Sequence, residues 1–469
     1  MSKASATRDD NRPRVDIGRV LDDGPYTTIQ KVFVLMAAMA IVTDGFDGQL
    51  IGFAIPSIIK EWGITRGAFA PAVAAGLLGM AIGSTCAGLF ADRFGRRFAI
   101  IASVFIFGSA TCAIGFAPDV LTIAGLRFVA GLGIGGALPS STTMTAEFTP
   151  ARRRTLAVTA TIVCYPLGGM IAGLFASAVL PAYGWRGLFW IGGLFPILWS
   201  AVLYFGLPES PRFLVRQPAR WPELNKLLTR MSRPTAANTV FVDAVEQKSE
   251  QRAGFASLFE TGRARDTIAI WCTFFVVLLA VYSAFSWLPT MLAAEGLSPA
   301  IAGSGLTAYN LGGVFGALLC AVCITRFGSR WPLALCCIGA ALSAFVLQGV
   351  DFSKNANWLI VGLGIHGLFV NAVQSTMYAL CAYVYPTIVR ATGTASALAF
   401  GRLGAILSSF AGAAVITAGG GSAYLTMLGS AMVLAFFGLM LVRRHIPGVA
   451  SERAAAGTAE GVPQRSLQR

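Results

Sequence analysis

Four ionisable residues stand inside stretches that are otherwise apolar: Asp44, Asp47, Arg127 and Arg402. A charge within a bilayer is costly, so such residues are functional candidates by default. Asp44 and Asp47 are three apart and share one helix face, about halfway along their span. Two carboxylates this close in a low-dielectric setting cannot both ionise freely, which suits one of them to carry a proton. The arginine fork suits two-point contact with a carboxylate, and Arg402 is read as the anchor for an organic acid. Arg127 is either a second anchor or the partner of Asp44 or Asp47. The four charges sum to zero, so an entering carboxylate leaves one uncompensated negative charge unless a proton arrives with it. The chemistry expected is symport, with no bond made or broken and no catalytic residue. The structural alternatives are bracing hydrogen bonds for the aspartates and helix-packing ion pairs for the arginines.

The elements that must hold these charges follow from composition. Hydrophobic residues make up 55% of the 469 and charged residues 12%, the latter about half the share in soluble domains. A bilayer core about 30 Å thick takes about 20 apolar residues per helix. Twelve spans satisfy this, over residues 31–54, 69–90, 98–116, 120–146, 155–181, 187–206, 267–292, 298–323, 332–349, 357–384, 393–418 and 423–442. The fold class expected is all-α integral membrane, with a tail (1–30), a six-helix bundle (31–206), a central polar loop (207–266), a second six-helix bundle (267–442) and a second tail (443–469). With the N-terminus inside, 30 Lys and Arg fall on the inner side and four on the outer, which makes both termini and the central loop cytoplasmic. The first 30 residues are polar, with Asp9, Asp10, Asp16, Asp22 and Asp23, so no cleavable signal peptide is expected.

The net charge of +14 lies in loops between spans rather than on one soluble face, which excludes nucleic acid as the main partner and leaves the lipid bilayer. Nine cysteines, an odd number at or within apolar segments, read as small buried residues rather than a disulfide framework. Cys320-x-x-Cys323 has no second pair or His cluster, so no metal is expected. Gly131-x-Gly133-x-x-Gly136 and Gly362-x-Gly364-x-x-Gly367 lie inside spans and read as helix-packing faces. No G-x-x-x-x-G-K-[ST] occurs, so direct ATP drive is not expected. The halves repeat: Arg93-Phe94-Gly95 recurs as Arg326-Phe327-Gly328, Pro150 as Pro386, and Leu167-Gly168 as Leu403-Gly404. Two parallel repeats place a site near the midplane between them. Arg402 then occupies the place of Pro166, where symmetry gives no reason for an arginine.

Gly88-x-x-x-Asp92-Arg93-x-Gly95-Arg96-Arg97, between spans 2 and 3, resembles the G-x-x-x-D-R-x-G-R-R signature of the major facilitator superfamily. Arg127-x-x-x-Gly131-x-Gly133-x-Gly135 in span 4 and Pro208-Glu209-Ser210-Pro211-Arg212 after span 6 are similar to further motifs of that superfamily. Asp44-Gly45-Phe46-Asp47, with Ile51-Gly52-Phe53, Pro56, Tyr385-Pro386-Thr387 and Arg390-Ala391-Thr392-Gly393, resembles its aromatic acid:proton symporters. The sugar-porter P-E-T-K-G is absent after span 12, where Arg443-Arg444-His445-Ile446-Pro447-Gly448 stands, and Thr325 replaces the counterpart of Asp92.

The resemblance implies a secondary transporter, not an enzyme, that takes up an aromatic carboxylate with protons by alternating access. It would need no cofactor but the proton gradient, and would sit in the plasma membrane, as a bacterial inner-membrane protein. An aromatic ring needs flat walls. Those expected are Phe46, Tyr165, Tyr282, Trp287, Tyr309 and Phe400, with Asn310, Asn371 or Gln374 for a ring hydroxyl. His366 is either a second proton site or a satisfied helix contact. Gly88, Asp92, Arg93, Gly95, Arg96, Arg97, Glu147 and Arg390, with Arg152, Arg153 and Arg154, are expected at the cytoplasmic gate. The alternatives are a major facilitator of another solute, such as an aliphatic acid or an exported drug, and a membrane-bound enzyme, for which no catalytic constellation is found.

Overall fold

Backbone groups in hydrocarbon can bond only to one another, so long apolar runs must become helices, and the computed structural model is built that way. It describes residues 13–236, 239–243, 255–260, 262–349, 356–386 and 389–448. Asp9, Asp10, Thr387, Lys354 and the C-terminal tail beyond residue 448 lie outside the described residues. Among the described residues, ten helices are long and apolar enough to cross a membrane. In the first half they are α2 (Thr28–Trp62), α3 (Arg66–Phe94), α4 (Arg96–Ile114), α5 (Val120–Phe148) and α6 (Ala151–Gly206). In the second they are α9 (Ala264–Ala294), α10 (Pro299–Phe327), α11 (Arg330–Leu347), α12 (Ala356–Val384) and α13 (Arg390–Leu441). Preceding and between them are α1 (Ile17–Asp23), α7 (Pro211–Val215) and α8 (Trp221–Arg230).

Helices α6 and α13, of 56 and 52 residues, each cover two spans of the sequence. Gly184 (φ 64°) interrupts the first, and Gly419 with Gly420 (φ 61°) the second. Elsewhere the ends are set by local chemistry: the Thr65 and Asp119 side chains accept N–H groups at the starts of α3 and α5. Gly95 (φ 102°) ends α3 and Gly328 (φ 79°) ends α10. Both donate their N–H to a carbonyl four residues back, so the repeat seen in the sequence is also a repeat of backbone geometry.

Small residues let helices close on one another. A methyl on Gly131 would meet the Gly76 carbonyl of α3, and one on Gly367 the Tyr309 carbonyl of α10. Both glycine-rich stretches therefore are packing faces. Gly131→Leu is expected to cost about 1–3 kcal/mol through overpacking, read as a lower thermal midpoint of the detergent-solubilised protein. An unchanged midpoint would contradict this packing. Large apolar side chains such as Leu121, Phe205 and Leu319 are exposed around the outside, as lipid contact requires. Among the cysteines, Cys320, Cys337 and Cys381 are buried as expected, whereas Cys86 and Cys272 lie on exposed helix faces.

The polar tail and the central loop, read from sequence as connecting segments, are joined. Strand β1 (Arg14–Asp16) pairs in parallel with β2 (Val240–Val242), and Ile17 and Leu21 of α1 are wholly buried. Asp22 pairs with Arg154 of α6, and Arg233 donates to the Pro25 carbonyl at 3.0 Å. The signal was the apolar set Val15, Ile17 and Leu21, too short to weigh against so polar a setting.

Candidate functional site

The two halves meet along α2, α3 and α6 on one side and α9, α10 and α13 on the other, and the intramembrane charges lie at or beside this seam. Arg402 of α13 reaches across it: Nη1 donates to the Tyr282 hydroxyl at 2.7 Å and touches the Met80 sulfur of α3. The Tyr282 hydroxyl is itself 3.4 Å from that sulfur. Asp44, 1% exposed, lies within electrostatic reach of Arg402. Asp47, wholly buried, faces the field of Arg127, with Thr111 beside it. Of the two arginines, Arg402 acts on Asp44 across the seam and Arg127 acts on Asp47 inside the first half, while Asp47 also acts on Asp44.

Neither pair closes to ion-pair distance among the described residues. Asp44 Oδ1, both Asp47 oxygens, and Arg127 Nε and Nη1 are buried without a hydrogen-bond partner there. Buried charges without partners are expensive. The arrangement is therefore one that a proton on a carboxyl, or a carboxylate arriving at an arginine, would relieve.

From Arg402 toward the Trp62 end of α2 comes an aromatic layer. The Phe285 ring stands 6.0 Å from Tyr165, 5.8 Å from Tyr282 and 6.0 Å from Tyr309. Beyond it, Gln49 of α2 and Asn310 of α10 exchange hydrogen bonds across the seam, Nε2 to Oδ1 at 3.2 Å and Nδ2 to Oε1 at 2.7 Å. Farther out, Gly52 packs on the Phe285 carbonyl and Gly173 on Thr307. A cavity of about 280 Å³, lined by Phe53, Ser57, Leu180, Pro289 and Ala302, lies between the halves at this end.

The structure brings together Asp44, Arg402, Tyr165, Tyr282 and, one layer nearer the Trp62 end of α2, Tyr309 and Asn310. It places other expected wall residues elsewhere. Trp287 packs on Gly412 of its own half, Phe46 on Phe175 and Phe195, and Phe400 on Trp271 and Phe275. Asn371 donates to the Gly367 carbonyl of its own helix at 3.0 Å, and Gln374 is half-buried. His366 Nδ1 lies 3.0 Å from the Ala340 carbonyl and 2.9 Å from Ser343 Oγ, a satisfied helix contact. Met80, Phe285 and Gln49 escaped the sequence reading, because a Met, a Phe and a Gln in a span carry no signal until their neighbours are known.

At the other end, Asp92 pairs with Arg96 at 2.6 Å, and Arg96 Nε lies 3.9 Å from Glu147. Glu147 also accepts from the Ser210 hydroxyl. Arg93 and Arg97 lie over the rings of Phe94 and Tyr204, Gly88 borders open space, and Arg390 donates to the Tyr385 carbonyl at 3.3 Å. Arg152 and Arg153 are exposed. The ion pairs Asp92–Arg96, Arg96–Glu147 and Asp22–Arg154 all lie within the first half.

Glu209 supplies what the motif around Gly95 requires: its Oε1 accepts the N–H of Arg97 at 3.1 Å and of Ser210 at 2.8 Å, capping α4 from outside the helix. Burial pushes its carboxyl above the usual range, and these backbone donors pull it back. A methyl on Gly95 would strike this carboxylate. Glu209→Ala is expected to cost about 1 kcal/mol, the worth of a helix cap, as a lower thermal midpoint, whereas an unchanged midpoint would remove the capping role.

A family model for the Major Facilitator Superfamily matches residues 37–298 and 270–467. The chain is 33% identical over 417 residues to a gallate transporter of Pseudomonas putida, covering 88% of this chain and 92% of that one. It is 32% identical to the 4-hydroxybenzoate transporter PcaK of Acinetobacter baylyi, covering 90% and 92%. Among solved structures it resembles the inward open conformation of the xylose transporter XylE from E. coli, with a TM-score of 0.72, 20% identity and coverage of 91% and 99%. That last likeness concerns the fold alone.

Proposed function

The chain belongs to the major facilitator superfamily, among its aromatic acid carriers, and on that premise we propose that it is a secondary transporter taking up an aromatic carboxylate together with protons by alternating access. The observation that carries this reading is Arg402 reaching across the seam to Tyr282 and Met80, within the field of Asp44. Arg402 anchors the carboxylate, Tyr165, Tyr282 and Phe285 wall the ring, and Asp44 holds the proton that keeps the loaded site neutral. Asp47 balances Arg127 inside the first half and is the second proton-coupling residue. Relatives that carry gallate and 4-hydroxybenzoate support the aromatic acid.

Twelve transmembrane helices with cytoplasmic termini accompany this reading. Straight helices of 56 and 52 residues would be about 84 and 78 Å long, well over twice the apolar thickness of a bilayer, so each crosses twice by turning at its glycines. The amide pair, Gly52 and Gly173 join the halves outward of Arg402, and the Asp92 and Glu147 clusters engage the second half when the carrier turns outward. The chain would lie in a bacterial inner membrane, driven by the proton gradient.

The test is uptake of labelled 4-hydroxybenzoate, gallate and benzoate into proteoliposomes under an inward proton gradient, against xylose and succinate, with empty liposomes subtracted. Saturable, gradient-driven uptake of an aromatic acid is expected. Uptake of succinate alone, or of no aromatic acid by folded protein, would overturn the reading.

A further inference from the structure

The Gln49–Asn310 amide pair is buried, bridges the two halves, and lies one aromatic layer outward of Arg402. Gln49 is five residues beyond Asp44, about 7.5 Å along the helix axis. A substituent para to the carboxylate is the one that points away from Arg402, toward that end of the seam. Gly169 of α6 leaves the room that the Gln49 side chain fills, and Tyr165, one turn inward on the same helix, faces the ring layer. From the cytoplasm outward the seam therefore presents a cation, aromatic walls and a polar clasp.

We propose that this clasp reads a para hydroxyl on the substrate ring, so that the protein selects hydroxylated aromatic acids over benzoate. The inference rests on the aromatic-acid reading above and narrows its substrate. Gln49 spends one N–H and one lone pair on Asn310, and Asn310 spends its other N–H on the Leu306 carbonyl at 3.0 Å. One N–H and one lone pair of Gln49 are left for a ligand. A phenol both donates and accepts, so it can take up this remaining capacity or replace one bond of the pair. A benzoate offers nothing there, and loosening the clasp for it would leave amides unpaired. Because the clasp joins the halves, a hydroxyl that enters it also lowers the cost of opening the seam outward.

The test compares the ratio of kcat/KM for 4-hydroxybenzoate to that for benzoate in proteoliposomes of wild type and of Gln49→Met, which keeps the side-chain length and removes the amide. The ratio is expected to fall about tenfold, the worth of one well-made hydrogen bond, and an unchanged ratio overturns the proposal. A second measurement needs no variant: 4-methylbenzoate, close in shape to 4-hydroxybenzoate, should compete with it at least about tenfold less well than unlabelled 4-hydroxybenzoate does. Equal competition removes the clasp's role even if Gln49→Met does not fold. If the wild type carries no aromatic acid at all, it is the aromatic-acid reading that fails. If it carries benzoate and 4-methylbenzoate as well as 4-hydroxybenzoate, only the clasp falls.

Discussion

Arg402→Ala is expected to reduce kcat/KM for aromatic acid uptake by at least about 100-fold, the scale on which losing one partner of a buried, hydrogen-bonded charge pair weakens recognition. Arg402 is the cation whose guanidinium crosses between the halves, bonding Tyr282 on its own side and meeting Met80 on the other. Without it a carboxylate would enter a low-dielectric seam with only Asp44 nearby, a charge of the same sign. Arg402→Lys keeps the charge but loses the fork, and is expected to retain uptake with a KM raised about tenfold. Binding of 4-hydroxybenzoate to detergent-solubilised protein separates recognition from turnover, since it too should vanish in Arg402→Ala. Near-normal uptake by Arg402→Ala would move the anchor to Arg127 or abandon it.

Asp44→Asn is expected to uncouple the carrier. The asparagine mimics a protonated aspartate, so the loaded site is already neutral without a proton from outside. Accumulation driven by an inward proton gradient should then fall to simple equilibration, while exchange of internal for external substrate, which needs no net proton movement, should persist. A loss of both would instead mean that Asp44 holds the site together. Asp47→Asn makes the contrast, because it leaves Arg127 buried without its counter-charge. Burying a charge without its counter-charge is expensive, so this variant should lose folded yield and thermal stability as well as proton coupling. Wild-type accumulation by Asp44→Asn against the same gradient would end the proton-carrier role.

Much of this was legible in the sequence for reasons that are local. Hydrocarbon forces apolar runs into helices, so the spans could be read from composition alone. A positive φ at Gly95 and at Gly328 follows from the repeated Arg-Phe-Gly turn. The cost of intramembrane charge singled out Asp44, Asp47, Arg127 and Arg402 before any coordinates. Span ends were legible where a glycine breaks the helix: Gly184 (φ 64°) interrupts α6 inside the gap that the sequence pattern sets between residues 181 and 187.

What only the tertiary structure decided is which of these residues meet. Arg402 and Met80 are 322 positions apart, and Gln49 and Asn310 are 261 apart. No local rule links such residues, because their contact depends on how two helix bundles rotate and translate against each other. The same rotation turned Trp287, Phe46 and Phe400 toward their own bundles, although by type they suit a substrate wall as well as Tyr165 does. It also set Asp47 in the field of Arg127 and Asp44 in the fields of Asp47 and Arg402, an arrangement the sequence left open. The sequence determined the charges and the helices that carry them. Their pairing waited for the fold, because electrostatic energy depends on separation in space, which chain order does not record.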